Sequence, residues 1–332
     1  MKYVELGRTG EKVSQLCLGT MMFGTRCDEA EADRILGTAI DQGVNFIDTA
    51  AMYGDGRTEE VLGRITQGRR DKLFIATKVH KGIDARSIRE SLDESLARLR
   101  ADFVDLYMIH WPVAGMQVEE VMQALDWVVR QGKARYVGGC NYPAWLVAHS
   151  NAIAQRSGSA PLVCNQVAYN LIERGVEVEI LPQALADGLA ITAYRPLAIG
   201  LLAGKYHAGR PLPTDSRGQT DPRVITWLSQ HGESVDRFNQ FAAQRGVHPA
   251  QLAVAWVRYS PAVTSPIVGV TSLPQLETAM AAFELDLAAS EYEEITRMFD
   301  TEVKEEGLQR FPGLNYNFPR LRRALDLIAR GN

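Results

Sequence analysis

Eight short apolar runs alternate with amphipathic stretches of helical period along this chain, and that alternation most limits what it can fold into. The runs lie near residues 15–19, 44–48, 73–78, 103–109, 135–140, 162–167, 190–194 and 263–268. Strand and helix signals in strict alternation imply parallel strands joined by crossover helices. Eight parallel strands close a (β/α)8 TIM barrel, and such barrels run past about 250 residues as one domain. The expectation is therefore one domain over residues 1–332.

The helices between the runs have readable faces and ends. Asp28 is positioned to cap a helix whose Ala32, Ile35, Leu36, Ala39 and Ile40 share one side. Gly43 stops it, because glycine takes the left-handed C-terminal conformation cheaply. Asp84 is a second cap, ahead of Ile88, Leu92, Leu96 and Leu99; Val118, Val121, Met122, Leu125 and Val129 form a third stripe, closed by Gly132. Three segments break the alternation. Residues 1–14 read as an N-terminal β-hairpin turning at Arg8-Thr9-Gly10-Glu11. Residues 198–232 read as a long loop after strand seven. Residues 301–332 form a C-terminal extension carrying Phe311, Tyr316 and Phe318, then Leu321, Leu325 and Ile328. Long loops of this kind often serve as lids or binding loops.

Charge and cysteine content exclude several classes. The formal net charge is -4, with no long basic run, so neither a nucleic-acid footprint nor a polybasic membrane patch is present. No run of about 18 apolar residues suggests a membrane span, and the N-terminus lacks a signal-peptide core. Cys17, Cys27, Cys140 and Cys164 form no CxxC pair, and six histidines form no HxH pair, so metal-ligand spacing is absent and no metal is expected. Thiols this sparse fit a reducing cytosol, and the expected location is cytoplasmic.

In a TIM barrel the chemistry sits at the C-terminal ends of the strands. Strand two ends at Asp48, with Tyr53 five residues on; strand three ends at Lys78; strand four is followed by His110. A carbonyl that receives hydride needs a proton on its oxygen. A phenol with a pKa near ~10 is a poor acid at neutral pH, and a neighbouring ammonium lowers that pKa. A carboxylate holds the ammonium in place, and an imidazole orients the carbonyl oxygen. Each residue alone has an ordinary structural reading; their convergence at three successive strand ends is what points to chemistry.

At these residues the sequence resembles the aldo-keto reductase superfamily. The opening Leu6-Gly7-Arg8-Thr9-Gly10, the stretch Gly43 to Gly54, and Asp105-Leu106-Tyr107-Met108-Ile109-His110-Trp111-Pro112 carry the resemblance. It implies a catalytic tetrad of Asp48, Tyr53, Lys78 and His110, with Tyr53 as acid–base. The implied activity is NAD(P)(H)-dependent hydride transfer between nicotinamide and a small carbonyl or alcohol. The alternative is a cofactor-sensing regulatory subunit like the potassium-channel β subunits that share the fold. The implied cofactor residues are Gly19, Thr20 and Met21 after strand one; Asp48 itself; Cys140 and Asn141; Gln166; and Tyr194, which would stack on the nicotinamide. Arg195, Pro196 and Leu197, then Leu201 and Lys205, belong to a belt crossing the pyrophosphate. Arg195 either reaches the pyrophosphate or pairs with a local carboxylate. Cys140 stands where relatives have Ser, as a weaker hydrogen-bonding group or simply a small buried residue.

Gly269, Thr271 and Gln275 fall in the segment that, by resemblance, meets the adenosine phosphate of NADP(H). Between Gly269 and Ala279 there is no cation, and Glu277 is the one charge. A phosphate without a cationic partner loses its strongest contacts, so dual or NAD(H)-leaning specificity is expected. Helix N-terminal amides, Ser272 and Thr271 are the neutral donors that could still take the phosphate. Met21–Phe23, Met52, Trp111, residues 198–232 and the tail are the expected rim of the substrate pocket.

Overall fold

The computed structural model describes residues 1–79, 81–214 and 216–300. The C-terminal extension, with the aromatic and apolar residues singled out above, lies outside the described residues. The described residues fall into two compact units: Met1–Val167 with Glu179–Tyr194 and Ala262–Glu277, and a second comprising Ala168–Val178, Arg195–Pro261 and residues 278–300.

The first unit opens with a hairpin, β1 (Tyr3–Glu5) and β2 (Lys12–Ser14). Then come β3 (Cys17–Gly19), α1 (Glu29–Asp41), β4 (Phe46–Asp48), α2 (Arg57–Ile65), β5 (Phe74–Lys78) and α3 (Ala85–Leu99). They are followed by β6 (Val104–Ile109), α4 (Val118–Arg130), β7 (Ala134–Cys140), α5 (Ala144–Ser157), β8 (Leu162–Ala168), α6 (Ile180–Asp187) and β9 (Ala190–Tyr194). Next in the chain are α7 (Pro222–Gln244), α8 (Pro249–Tyr259), β10 (Ser265–Gly269), α9 (Leu273–Ala281) and α10 (Ala289–Met298). Strands β3 to β10 form a closed parallel barrel, with β10 pairing both β9 and β3. All eight sequence-derived strands are present, and the protein is a (β/α)8 TIM barrel with an N-terminal hairpin.

The expected caps form as the side-chain chemistry requires. The Asp28 carboxylate accepts from the Glu31 amide at 2.9 Å, and Asp84 accepts from Arg86 and Ser87. Gly43 and Gly132 have φ of 84° and 71°, the left-handed values that follow a helix end. Inside the barrel, Cys17, Phe46, Phe74, Ala76, Leu106, Met108, Cys140, Cys164 and Ile267 form one buried cluster, joined by Leu6 and Val13 from the hairpin. The Phe46 and Phe74 rings meet edge to face at 5.2 Å, a favoured aromatic geometry. The hairpin residues Leu6 and Val13 thus complete the barrel core.

The segment after β9 differs in part from its sequence reading. Its described residues up to 221 are irregular apart from short 3-10 turns, but helix α7 begins at Pro222, inside the stretch expected to be loop. Its Gly, Pro and Asp content suggested turns throughout. Yet Asp221 caps the helix, Pro222 sits in the first turn where its missing N–H costs nothing, and Val224, Val235, Phe238 and Ala242 are buried along one face. In the second unit, Trp256 donates to Thr296 Oγ1 at 2.9 Å, and Tyr292 stacks on both Trp256 and Tyr259. Among the described residues no helix is long and apolar enough to cross a membrane.

Candidate active site

The site is built from the ends of neighbouring strands. Parallel pairing sets Gly19 beside Asp48 and Asp48 beside Ala76, so Lys78 projects two residues beyond at the same mouth. Lys78 is fully buried. Its ammonium donates to Asp48 Oδ1 at 2.6 Å, to the Thr49 carbonyl at 2.7 Å and, more loosely, to Tyr53 Oη at 3.4 Å. A buried charge needs this set of acceptors, because desolvation of an unpartnered ammonium is prohibitive. Asp48 takes a further bond from Gln166 Nε2 at 2.7 Å, and its carbonyl accepts from the Thr20 hydroxyl at 2.8 Å.

Tyr53 reaches this group from a tight turn. The turn runs Tyr53–Gly56, and Gly54 and Asp55 both have φ above 50°. A left-handed aspartate is a mild strain held in place by its surroundings. His110, just beyond β6, places its ring edge-on to Tyr53 with centroids 6.0 Å apart. The structure thus brings Asp48, Tyr53, Lys78 and His110 to one mouth.

Burial pushes the Tyr53 phenol up to about 12, and the Lys78 ammonium opposes that rise without cancelling it. The sequence argument anticipated a phenol lowered by its lysine; desolvation proves the larger effect. For Lys78, burial disfavours the ammonium most. The Asp48 carboxylate and the Tyr53 oxygen together outweigh that cost and hold Lys78 above the ordinary lysine value. Both folded values are raised, so their stabilisation is complete below the unfolded values of about 10. It is lost as pH climbs through the folded ones. Tyrosinate absorbance checks this: wild type and Tyr53→Phe have superimposable folded-state titrations at pH 10, and they diverge only on approach to about 12. A Tyr53 contribution already complete at pH 10 would contradict the burial argument.

Around the tetrad lies a set of amides. Asn141 has left-handed φ of 58°, its Oδ1 accepts from Tyr194 Oη at 2.8 Å, and its Nδ2 donates to the His110 carbonyl at 3.3 Å. Asn165 secures this turn by bonding both the N–H and the carbonyl of Tyr142. Asn141 and Gln166 offer the N–H donors and carbonyl acceptors that complement a primary carboxamide. The donor set therefore fits the nicotinamide group that the resemblance implies.

The other expected cofactor residues differ in standing. Gly19 is a packing requirement, since a Cβ there would fall 2.9 Å from Ile267 Cγ2. Met21 is exposed and Thr20 buried. Cys140 turns its thiol into the barrel core, 3.9 Å from Met108 Sδ, where burial raises its pKa and keeps it protonated. Within the second unit, Arg195 has φ of 59°, and its carbonyl is held by the buried Asn170 at 3.1 Å. Its guanidinium lies 3.9 Å from Glu173 Oε1, so the local carboxylate partner exists at the outer limit of an ion pair. Leu201 is buried and Lys205 exposed, its ammonium over the Tyr206 ring. Pro196 and Leu197 lead into a left-handed pair, Ala198 and Ile199. Gly269 ends β10, and Thr271 donates from both its N–H and its hydroxyl to Gln275 Oε1.

Of the expected rim, Met21 and Trp111 are exposed, whereas Phe23 is fully buried and is a core residue. A second feature escaped the sequence: Glu59 of α2 is completely buried, accepting from Thr77 at 2.5 Å and from Arg98 at 2.7 Å. Its one signal was its place among the apolar positions of the helix. Among the described residues no group of three His, Cys, Asp or Glu side chains could hold a metal.

A parallel barrel with this group of side chains at the C-terminal mouth has a family counterpart. The model described as "Aldo/keto reductase family" matches residues 15–300, and the chain belongs to that family. It is 36% identical over 320 residues to "Uncharacterized oxidoreductase YrpG" of Bacillus subtilis, covering 90% of this chain and 95% of that one. It is 36% identical over 302 residues to "Probable voltage-gated potassium channel subunit beta" of Oryza sativa, covering 86% and 92%. "Protein tas" of Escherichia coli is 32% identical over 335 residues, with 89% and 96% covered.

Proposed function

We propose that this protein is an NAD(P)H-dependent oxidoreductase that reduces a small carbonyl compound, or oxidises the matching alcohol, with Tyr53 as the acid–base residue. The observation that carries the reading is the buried Lys78 ammonium, bonded at once to Asp48 at 2.6 Å and Tyr53 at 3.4 Å. A nicotinamide, when bound, supplies the hydride. Asn141 and Gln166 would hold its carboxamide, and Tyr194 would flank the ring.

The chain's own groups handle the proton. As hydride arrives at a carbonyl carbon, charge builds on its oxygen, and an alkoxide is a stronger base than a phenolate. Tyr53, protonated at neutral pH with its pKa raised by burial to about 12, gives its proton to that oxygen. Lys78 then faces the phenolate and stabilises it, and Asp48 keeps Lys78 charged through the step. His110, beside Tyr53, would hydrogen-bond the carbonyl oxygen and orient it. At neutral pH the phenol is in its protonated form, the form that carbonyl reduction needs.

Absorbance of reduced cofactor, followed with a panel of aldehydes and ketones, checks the reading. Consumption dependent on both protein and carbonyl is the expected result. Tight cofactor binding with no turnover across the panel would instead favour a cofactor-sensing subunit. The similarity to the rice chain, named as a probable channel β subunit, is what supports that second reading.

A further inference from the structure

A protein grips a phosphate with cations, with free amides at a helix start, or with hydroxyls. The segment from β10 into α9 lacks the first, and several of its other donors are already engaged. Residues 269–279 hold no Lys or Arg. At the start of α9, the Leu273 N–H donates to Glu31 Oε1 at 3.2 Å. Pro274 has no N–H to offer, and the Leu276 N–H donates to the Ser272 carbonyl at 3.2 Å. The Thr271 N–H and hydroxyl both point at Gln275 Oε1, at 2.9 and 3.2 Å. One of these acceptors is a full negative charge from a different element. Glu31 lies on α1, and its second oxygen pairs with the exposed Arg34.

We propose that Glu31 is a specificity-determining residue that turns this segment against a 2′-phosphate and toward a dinucleotide with a free 2′-hydroxyl, the NADH class. The proposal rests on the cofactor reading above. A 2′-phosphate arriving here must displace the Glu31 carboxylate from the Leu273 amide and then lie beside it, like charge against like. A neutral ribose hydroxyl meets no such penalty. Removing the Glu31 charge would end that repulsion and leave Arg34 without its carboxylate, so a cationic phosphate donor would appear beside the segment.

Dissociation constants for NADH and NADPH, read from quenching of protein fluorescence in wild type, Glu31→Gln and Glu31→Arg, test this without relying on turnover. Wild type binds NADH at least as tightly as NADPH. Glu31→Gln shifts the ratio of the two constants about tenfold toward NADPH, and Glu31→Arg shifts it further. Salt adds a readout that a structural role would not move. Screening narrows the wild-type preference for NADH by weakening the repulsion, but in Glu31→Gln it weakens NADPH binding through Arg34. A wild-type protein that strongly prefers NADPH, or a ratio unchanged in both variants, overturns the role of Glu31 and leaves the oxidoreductase reading standing. Failure of wild type to bind either dinucleotide overturns both.

Discussion

Replacing Tyr53 with Phe lowers kcat for carbonyl reduction by about 10²–10⁴-fold, the usual worth of a positioned acid–base group. The ring keeps its edge-on contact with His110, so the site retains its shape and only the proton is lost. Steady-state kinetics measures the fall. Fluorescence titration should return an unchanged cofactor dissociation constant, which separates loss of the proton from loss of binding. Retention of more than about a tenth of wild-type kcat would remove Tyr53 from the acid–base role, because an effect so small lies below that of general acid catalysis. Lys78 and Asp48 would then be structural partners only.

Asp48→Ala has the largest expected effect on stability. It strips the fully buried Lys78 of its carboxylate while leaving the ammonium inside the protein. Breaking a buried pair from one side costs about 3–5 kcal/mol, because the remaining charge is uncompensated. Gln166 loses the acceptor at 2.7 Å as well. The urea midpoint reads the loss. The double variant Asp48→Ala/Lys78→Met discriminates: it should recover most of the stability, since the orphaned charge is gone. If the double variant is no more stable than Asp48→Ala, the cost arises from a cavity or from Gln166 and the buried ion pair is not its source.

Much of the fold was legible because the forces behind it are local. Strand positions followed from apolar runs bounded by turns, and Asp28 and Asp84 were readable as caps because capping needs only a side chain two or three residues from the amide it serves. The candidate site was legible because barrel topology converts a position in sequence, the end of a strand, into a position in space. The start of helix α7 was missed because it follows a run of Gly, Pro and Asp that reads as loop. Its buried face is spaced over about five turns, and its cap is a single aspartate.

What the sequence by itself determined was the succession of strands and helices, the closed barrel they make, and the arrival of Asp48, Tyr53, Lys78 and His110 at one end of it. Periodicity and strand-end position suffice for those. Tertiary structure alone decided the electrostatics and the unexpected partners. Whether a lysine lowers a tyrosine depends on how much water the fold removes, and here desolvation prevails and carries Tyr53 to about 12. Glu59 beside Arg98, and Glu31 on the first amide of α9, join residues 39 and 242 positions apart. No local pattern encodes such pairs, because which carboxylate reaches which donor depends on how separate helices are brought together around the barrel.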